Sequence, residues 1–225
     1  MSSDVKTRLL VWDLPTRVTH WLLVVLVPVS WWSAENNELQ WHRLSGYTIL
    51  SLVLFRIAWG FVGSATARFA NFVRGPRDVM KYASQHMFDR AHVSMGHNPL
   101  GGWSVVAILA VLMLQLVTGL FAVDVDGIES GPLSYLVTFD TGRALAKLHH
   151  QTFDVMTLLI VLHIVAVAYY AIFKRQALVS AMVGGFKHVN GNPAAKLAFA
   201  STLRAVIVLV LASALVAFVA AGLRL

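Results

Sequence analysis

The sequence predicts an all-α membrane protein: a four-helix transmembrane bundle followed by a fifth, C-terminal transmembrane helix. Three observations carry that expectation. Of the 225 residues, 57% are hydrophobic and 13% charged, with a mean hydropathy of +0.68, whereas a soluble domain carries roughly 25% charge. Five apolar runs reach the ~17–25 residues that a helix needs to cross a bilayer. The connections between those runs alternate in charge.

The runs are Val18–Ala34, Trp41–Val62, Gly102–Val123, Leu148–Phe173 and Leu197–Leu223. The first resembles the apolar part of a cleavable leader. Pro28 interrupts it, however, and Trp31 and Trp32 close it as an interfacial anchor would. It reads as a retained helix. The fifth run has no histidine and carries only Arg204 at one end. Between the second and third runs, Pro76–His92 predicts a short interfacial helix with Val79, Tyr82, Ala83, His86 and Met87 on one face.

Charge sets the expected topology. Lys6, Arg8 and Arg17 precede the first run. Arg68, Arg74, Arg77, Lys81 and Arg90 lie in the 63–101 connection, and Lys174, Arg175, Lys187 and Lys196 in the 174–196 connection. The other two connections hold Glu35, Glu38, Asp124, Asp126, Glu129 and Asp140 against Arg143 and Lys147. Basic loops stay inside, so the expected location is a bacterial inner membrane, with the N-terminus cytoplasmic and the C-terminus periplasmic. The formal charge of +7 is therefore a topology signal, and no nucleic-acid partner is expected. The chain has no cysteine. Disulfides, iron–sulfur clusters and covalently attached haem are excluded.

His149 and His163 lie fourteen residues apart in the fourth run. At 100° per residue they fall about 40° apart on one face, separated by ~21 Å along the axis. Coordinating side chains within a membrane span are functional suspects. The expected topology puts His42 at the outer end of its helix, level with His149. It puts His20 near the inner end of the first helix, at the depth of His163. A lone intramembrane histidine is ordinarily a hydrogen-bonded packing residue. Four at two matched depths make two axial pairs, His42 with His149 and His20 with His163, and hence two b-type haems with iron as the metal.

Arg56 follows His42 by fourteen residues on nearly the same face. A haem propionate would offset the cost of an intramembrane arginine; snorkelling to inner headgroups is the alternative. Arg17 is a similar candidate, as are Arg43, Arg143 and Lys147 for the outer haem. Gly46, one turn after His42, leaves room for a porphyrin face or for close helix packing. Gly119 reads as a packing glycine. His150 points about 100° away from His149 and reads as a supporting or proton-handling group, although spacing alone also allows it as a ligand. Asp154 is an intramembrane carboxylate that handles protons or pairs with a base. His86, His92, His97 and His188 read as solvated or interfacial loop histidines.

Several runs together resemble a known family. These are Val11-Trp12-Asp13-Leu14-Pro15-Thr16-Arg17-Val18-Thr19-His20-Trp21, Trp41-His42-Arg43-Leu44-Ser45-Gly46 followed by Arg56, Gly96-His97-Asn98-Pro99-Leu100, Leu148-His149-His150 through Leu162-His163, and Arg175-Gln176-Ala177-Leu178-Val179-Ser180-Ala181-Met182-Val183. In this order they resemble bacterial cytochrome b561 proteins and the b-type cytochrome subunit of nickel–iron hydrogenases, over residues 9–188. The resemblance implies His20, His42, His149 and His163 as ligands and favours His149 over His150. It implies a di-haem four-helix domain at 1–190. Residues 191–225 then form an additional helix that four-helix members lack.

Bis-imidazole haems have no open iron position and favour outer-sphere electron transfer. The expected function is electron transfer across the membrane between a periplasmic redox partner and quinone, the membrane-side partner that the resemblance implies. The expected partners are the lipid bilayer, quinone, and a periplasmic c-type cytochrome or a dehydrogenase or hydrogenase subunit. The oligomeric state is left open. A second reading makes the chain the membrane anchor and electron-acceptor subunit of a hydrogenase or other periplasmic dehydrogenase. A third is a haem-free transporter that uses the histidines for protons or metal. Superoxide oxidation at the outer haem is an enzymatic variant of the first.

Overall fold

The computed structural model describes residues 6–87, 89, 96–125, 129–190 and 197–224; Arg90, His92, Asp126 and Lys196 lie outside the described residues. Strand β1 (Lys6–Leu10) leads into α1 (Leu14–Glu35) and α2 (Leu39–Val62). The short helices α3 (Phe69–Phe72) and α4 (Pro76–His86) precede α5 (Pro99–Phe121). A 3-10 turn at Ser134–Leu136 then leads to α6 (Phe139–Ile172), α7 (Leu178–Gly184), strand β2 (Phe186–Asn190) and α8 (Thr202–Ala220).

Four of these helices, α2, α5, α6 and α8, are long and apolar enough to cross a membrane. The protein is a mostly helical, multi-pass membrane protein. Helix α1 has 22 residues and is not among the four. His20, Pro28, Ser30, Trp31, Trp32 and Ser33 dilute its hydropathy, so the expected count of five spans is not reached on length and composition.

Polar side chains at the helix starts move the boundaries away from the apolar runs. The Asp13 carboxylate caps α1, accepting from Thr16 N at 2.9 Å and, through its other oxygen, from Trp59 Nε1 at 2.9 Å. Asn98 caps α5 through Gly101 N at 2.7 Å, with Pro99 at the first helical position. Thr138 caps α6, accepting from Thr141 N at 3.3 Å. That cap starts α6 at Phe139, nine residues before the predicted run at Leu148. Helix propensity extends through the charged turn Arg143–Lys147, which hydropathy alone leaves out. Ser201 caps α8 through Arg204 N at 3.3 Å, and α8 spans less than the predicted Leu197–Leu223.

The chain forms two compact units. The first comprises Met1–Val18, Ala58–Val106 and Val161–Ala205, and the second Thr19–Ile57, Ala107–Ile160 and Val206–Leu225. In the first unit, β1 pairs antiparallel with β2, Arg8 opposite His188 and Leu10 opposite Phe186. This ribbon was not legible in the sequence: β2 falls in a segment that reads as a basic tail. Its end is sealed by Val11, Trp12 and Ala181, packed against Leu9 and Met182. The amides of Val11 and Trp12 both donate to Gly185 O. Gly185 has a φ of +85°, and an added Cβ would lie 2.8 Å from Arg17 Nη1, so this turn requires glycine.

Helix α4 begins at Pro76 as expected but ends at His86, short of the expected His92, and its face is covered at Tyr82 and half-covered at Val79 and Ala83. Tyr82 is 4% exposed, its hydroxyl is 3.0 Å from that of Tyr170, and Asn98 Nδ2 donates to Tyr170 at 2.7 Å. Lys174 Nζ donates to His86 O at 2.8 Å. Tyrosine pairing and burial win here over insertion of that face into lipid.

In the second unit the core is built from Ile49, Leu50, Leu52, Val53 and Phe55 of α2 with Leu109 and Leu112 of α5 and Met156 of α6. Half of the most apolar stretch of α2 is buried, against 6% of that of α6. Helix α2 is therefore a core element, whereas Val155, Leu158 and Val210 lie exposed on α6 and α8, as lipid-facing side chains do.

Candidate functional site

Within the second unit, α2 and α6 bring His42 and His149 together. Their ring centroids lie 6.1 Å apart and the rings are nearly perpendicular, at 87°. Each imidazole is held by the same device. His42 Nδ1 donates to Ser30 O at 2.9 Å, with Ser30 Oγ at 3.2 Å. His149 Nδ1 donates to Gln115 O at 2.8 Å, with Thr118 Oγ1 at 3.4 Å. A carbonyl only accepts, so both rings carry their proton on Nδ1, and the His149 Nε2 lone pair accepts from the Gln115 amide. A carbonyl on the far nitrogen is how proteins orient a ligating histidine.

The surroundings of His149 were not foreseen. Gln115 Nε2 lies 3.1 Å from His149 Nε2, and Gln115 Oε1 accepts from the Thr152 hydroxyl. Gln115, Thr118 and Thr152 are all buried. Their signal was present in the sequence: Gln115 and Thr118 are polar residues one turn apart in an otherwise apolar run. Gly119 touches the site itself, since an added Cβ would meet His149 Cε1 at 2.9 Å. At Gly46 an added Cβ meets nothing within 4 Å, so close helix packing does not account for this glycine.

The remaining candidates are placed as follows. His20 is half-buried on the α1 segment of the second unit, its ring 5.1 Å from that of Trp21. His163 is half-buried on the α6 segment of the first unit. Arg56 is 7% exposed; snorkelling into headgroups does not describe a side chain so covered. Arg17 donates to Val183 O. Arg43 pairs with Glu129 at an exposed position. Arg143 donates to Val123 O at 3.1 Å. These three are thus engaged by the protein itself.

His150 is exposed. With Arg143, Ala146, Lys147, Gln151 and Asp154 it lines a shallow groove along one face of α6. His97, expected to be solvated, packs its ring 4.7 Å from Trp12 and 4.5 Å from Phe72; aromatic contact outweighs its polarity. His86 faces Asp89 at 3.8 Å, and His188 is exposed on β2. Among the described residues no three His, Cys, Asp or Glu side chains converge as a metal cluster would require.

Fold and site together define a multi-pass helical membrane protein in which two spanning helices bring a pair of histidines together. The chain belongs to the prokaryotic cytochrome b561 family, whose model matches residues 11–185. Haem b is the cofactor that such a family implies. Three relatives bear the name probable Ni/Fe-hydrogenase B-type cytochrome subunit. Those from Azotobacter chroococcum mcd 1 and Azotobacter vinelandii are each 25% identical over 217 residues, covering 81% of this chain and 89% of the relative. The one from Rhodobacter capsulatus is 22% identical over 218 residues, covering 81% and 82%. No solved structure matches the chain.

Proposed function

We propose that this protein is a di-haem b-type cytochrome that carries electrons across the bacterial inner membrane, between a periplasmic redox partner and the quinone pool. The observation that supports this most is the pair His42 and His149, each with Nδ1 on a backbone carbonyl and with centroids 6.1 Å apart. In this reading they hold the outer haem, and His20 and His163 hold the inner one. Helix α1 crosses the membrane as a fifth span. Residues 1–190 form the di-haem domain, and 191–225 add a helix to it. The N-terminus is cytoplasmic and the C-terminus periplasmic.

Haem b held by these imidazoles would supply a one-electron couple suited to outer-sphere transfer. The chain's own residues hold and orient. Ser30 O and Gln115 O fix the two rings, and Gly119 admits the His149 ring edge. Gly46 leaves a flat face beside His42. Arg56 supplies a buried positive charge suited to a propionate. His150 and Asp154 lie one turn apart on α6 and line a shallow groove with Lys147, a place where protons can be held.

A second reading, the membrane subunit of a hydrogenase, is favoured by the names of the three relatives. Oxidation of superoxide remains a variant of the first reading. The deciding experiment is a dithionite-reduced minus oxidised spectrum of the purified protein with pyridine-haemochrome quantitation. Two haems b per chain support the proposal; none in a folded sample overturns both readings. A hydrogenase co-purifying in mild detergent selects the second.

A further inference from the structure

The outward face of α4 combines features that no part of the proposed electron path uses. The inward face of this helix is pinned through Tyr82, Tyr170 and the bond from Lys174 to His86 O. On the opposite face Arg77, Met80, Lys81 and Ser84 stand one turn apart and exposed, Met80 at 71%. Arg74 is exposed just before the helix, where its carbonyl accepts from Trp103 Nε1 at 2.8 Å. The Trp103 ring is itself exposed. Neither Arg77 nor Lys81 has an ion pair among the described residues. The neighbouring acids are Asp78, in the first turn of the helix, and Asp89, which faces His86.

We propose that this face binds the headgroup of an anionic phospholipid. The geometry is that of an interfacial helix lying on a charged leaflet: cations beside an exposed thioether, with an indole at its edge. Met80 enters the acyl boundary while Arg77 and Lys81 reach phosphate oxygens. Pinning through Tyr82 and Lys174 presets the face, so little ordering cost falls on binding. A negatively charged leaflet is the matching surface for a cationic face that has no acidic partner among the described residues. Each basic residue near such a surface contributes about five-fold in affinity.

The test uses the full-length, delipidated protein in detergent, titrated with dioleoyl phosphatidylglycerol or dioleoyl phosphatidylcholine and read by native mass spectrometry. The first phosphatidylglycerol is expected to bind more tightly than the first phosphatidylcholine. R77Q/K81Q is expected to weaken phosphatidylglycerol about 25-fold and leave phosphatidylcholine unchanged. R77K/K81R is expected to keep the wild-type affinity, which separates loss of charge from loss of fold. R224Q serves as a control for total charge and is expected to bind as wild type. Equal affinity for the two lipids overturns the proposal. So does an R77Q/K81Q affinity for phosphatidylglycerol equal to that of R224Q.

Discussion

The ring of His149 lies against the backbone of Gly119, one turn after Gln115, the residue whose carbonyl holds that ring. An added Cβ would sit 2.9 Å from His149 Cε1 and 3.2 Å from its Nδ1. Glycine at 119 therefore sets the position of an imidazole. Gly119→Ala is expected to push the ring off its carbonyl at a cost of about 1–3 kcal/mol, as overpacking does, and to weaken one haem while sparing the other. Gly46→Leu is expected to remove that same haem with little loss of helix content, because the protein itself has room there. Haem content per chain and far-ultraviolet dichroism read both outcomes.

The pairing of ligands makes a combinatorial prediction. His42→Ala and His149→Ala are each expected to lose one haem, and the double variant still only one. His42→Ala combined with His163→Ala is expected to lose both. Pyridine-haemochrome quantitation decides; a His42→Ala/His149→Ala double variant without haem refutes the pairing.

Arg56 offers a redox test. A buried positive charge favours the reduced form of a nearby one-electron centre. Arg56→Gln is expected to lower the midpoint potential of one haem by roughly 30–60 mV, where 59 mV is a tenfold change for one electron. Spectroelectrochemical titration measures it. Unchanged potentials at both centres place Arg56 away from the haems.

The Asp13 carboxylate joins α1 to the indole of Trp59. Asp13→Ala is expected to cost about 1 kcal/mol for the lost cap, plus about 1–3 kcal/mol for a buried indole N–H left without its acceptor. The apparent Tm is expected to fall by several degrees. Trp59→Phe removes the donor and leaves the cap, so its loss is expected to be smaller.

Lys187, on β2 opposite Leu9, provides a pH dependence outside the membrane. Burial lowers its ammonium below the ordinary lysine value of 10.5. A base with a depressed folded-state pKa penalises the fold while it is charged. That penalty is full below the folded value and fades as pH rises toward 10.5. Lys187→Met is therefore expected to raise Tm near neutrality, with an advantage that narrows as pH climbs. A difference independent of pH contradicts the burial argument.

The sequence by itself determined the membrane class, the long helices α2, α5, α6 and α8, and the histidines worth watching. Apolar run length and charge alternation are local properties, and a bilayer rewards them residue by residue. It did not determine where α6 begins, because the Thr138 cap and the propensity of a charged turn are invisible to hydropathy. The pairing of β1 with β2 joins segments about 180 residues apart through backbone groups that every residue carries. Charge topology had already put His42 level with His149; the folded chain alone set the angle between their rings, the carbonyls of Ser30 and Gln115 that fix their tautomers, and the contrast between Gly119, which yields to an imidazole, and Gly46, which adjoins nothing. Those are relations between helices: each depends on rotation and register, which side-chain packing sets and which no single run of sequence encodes.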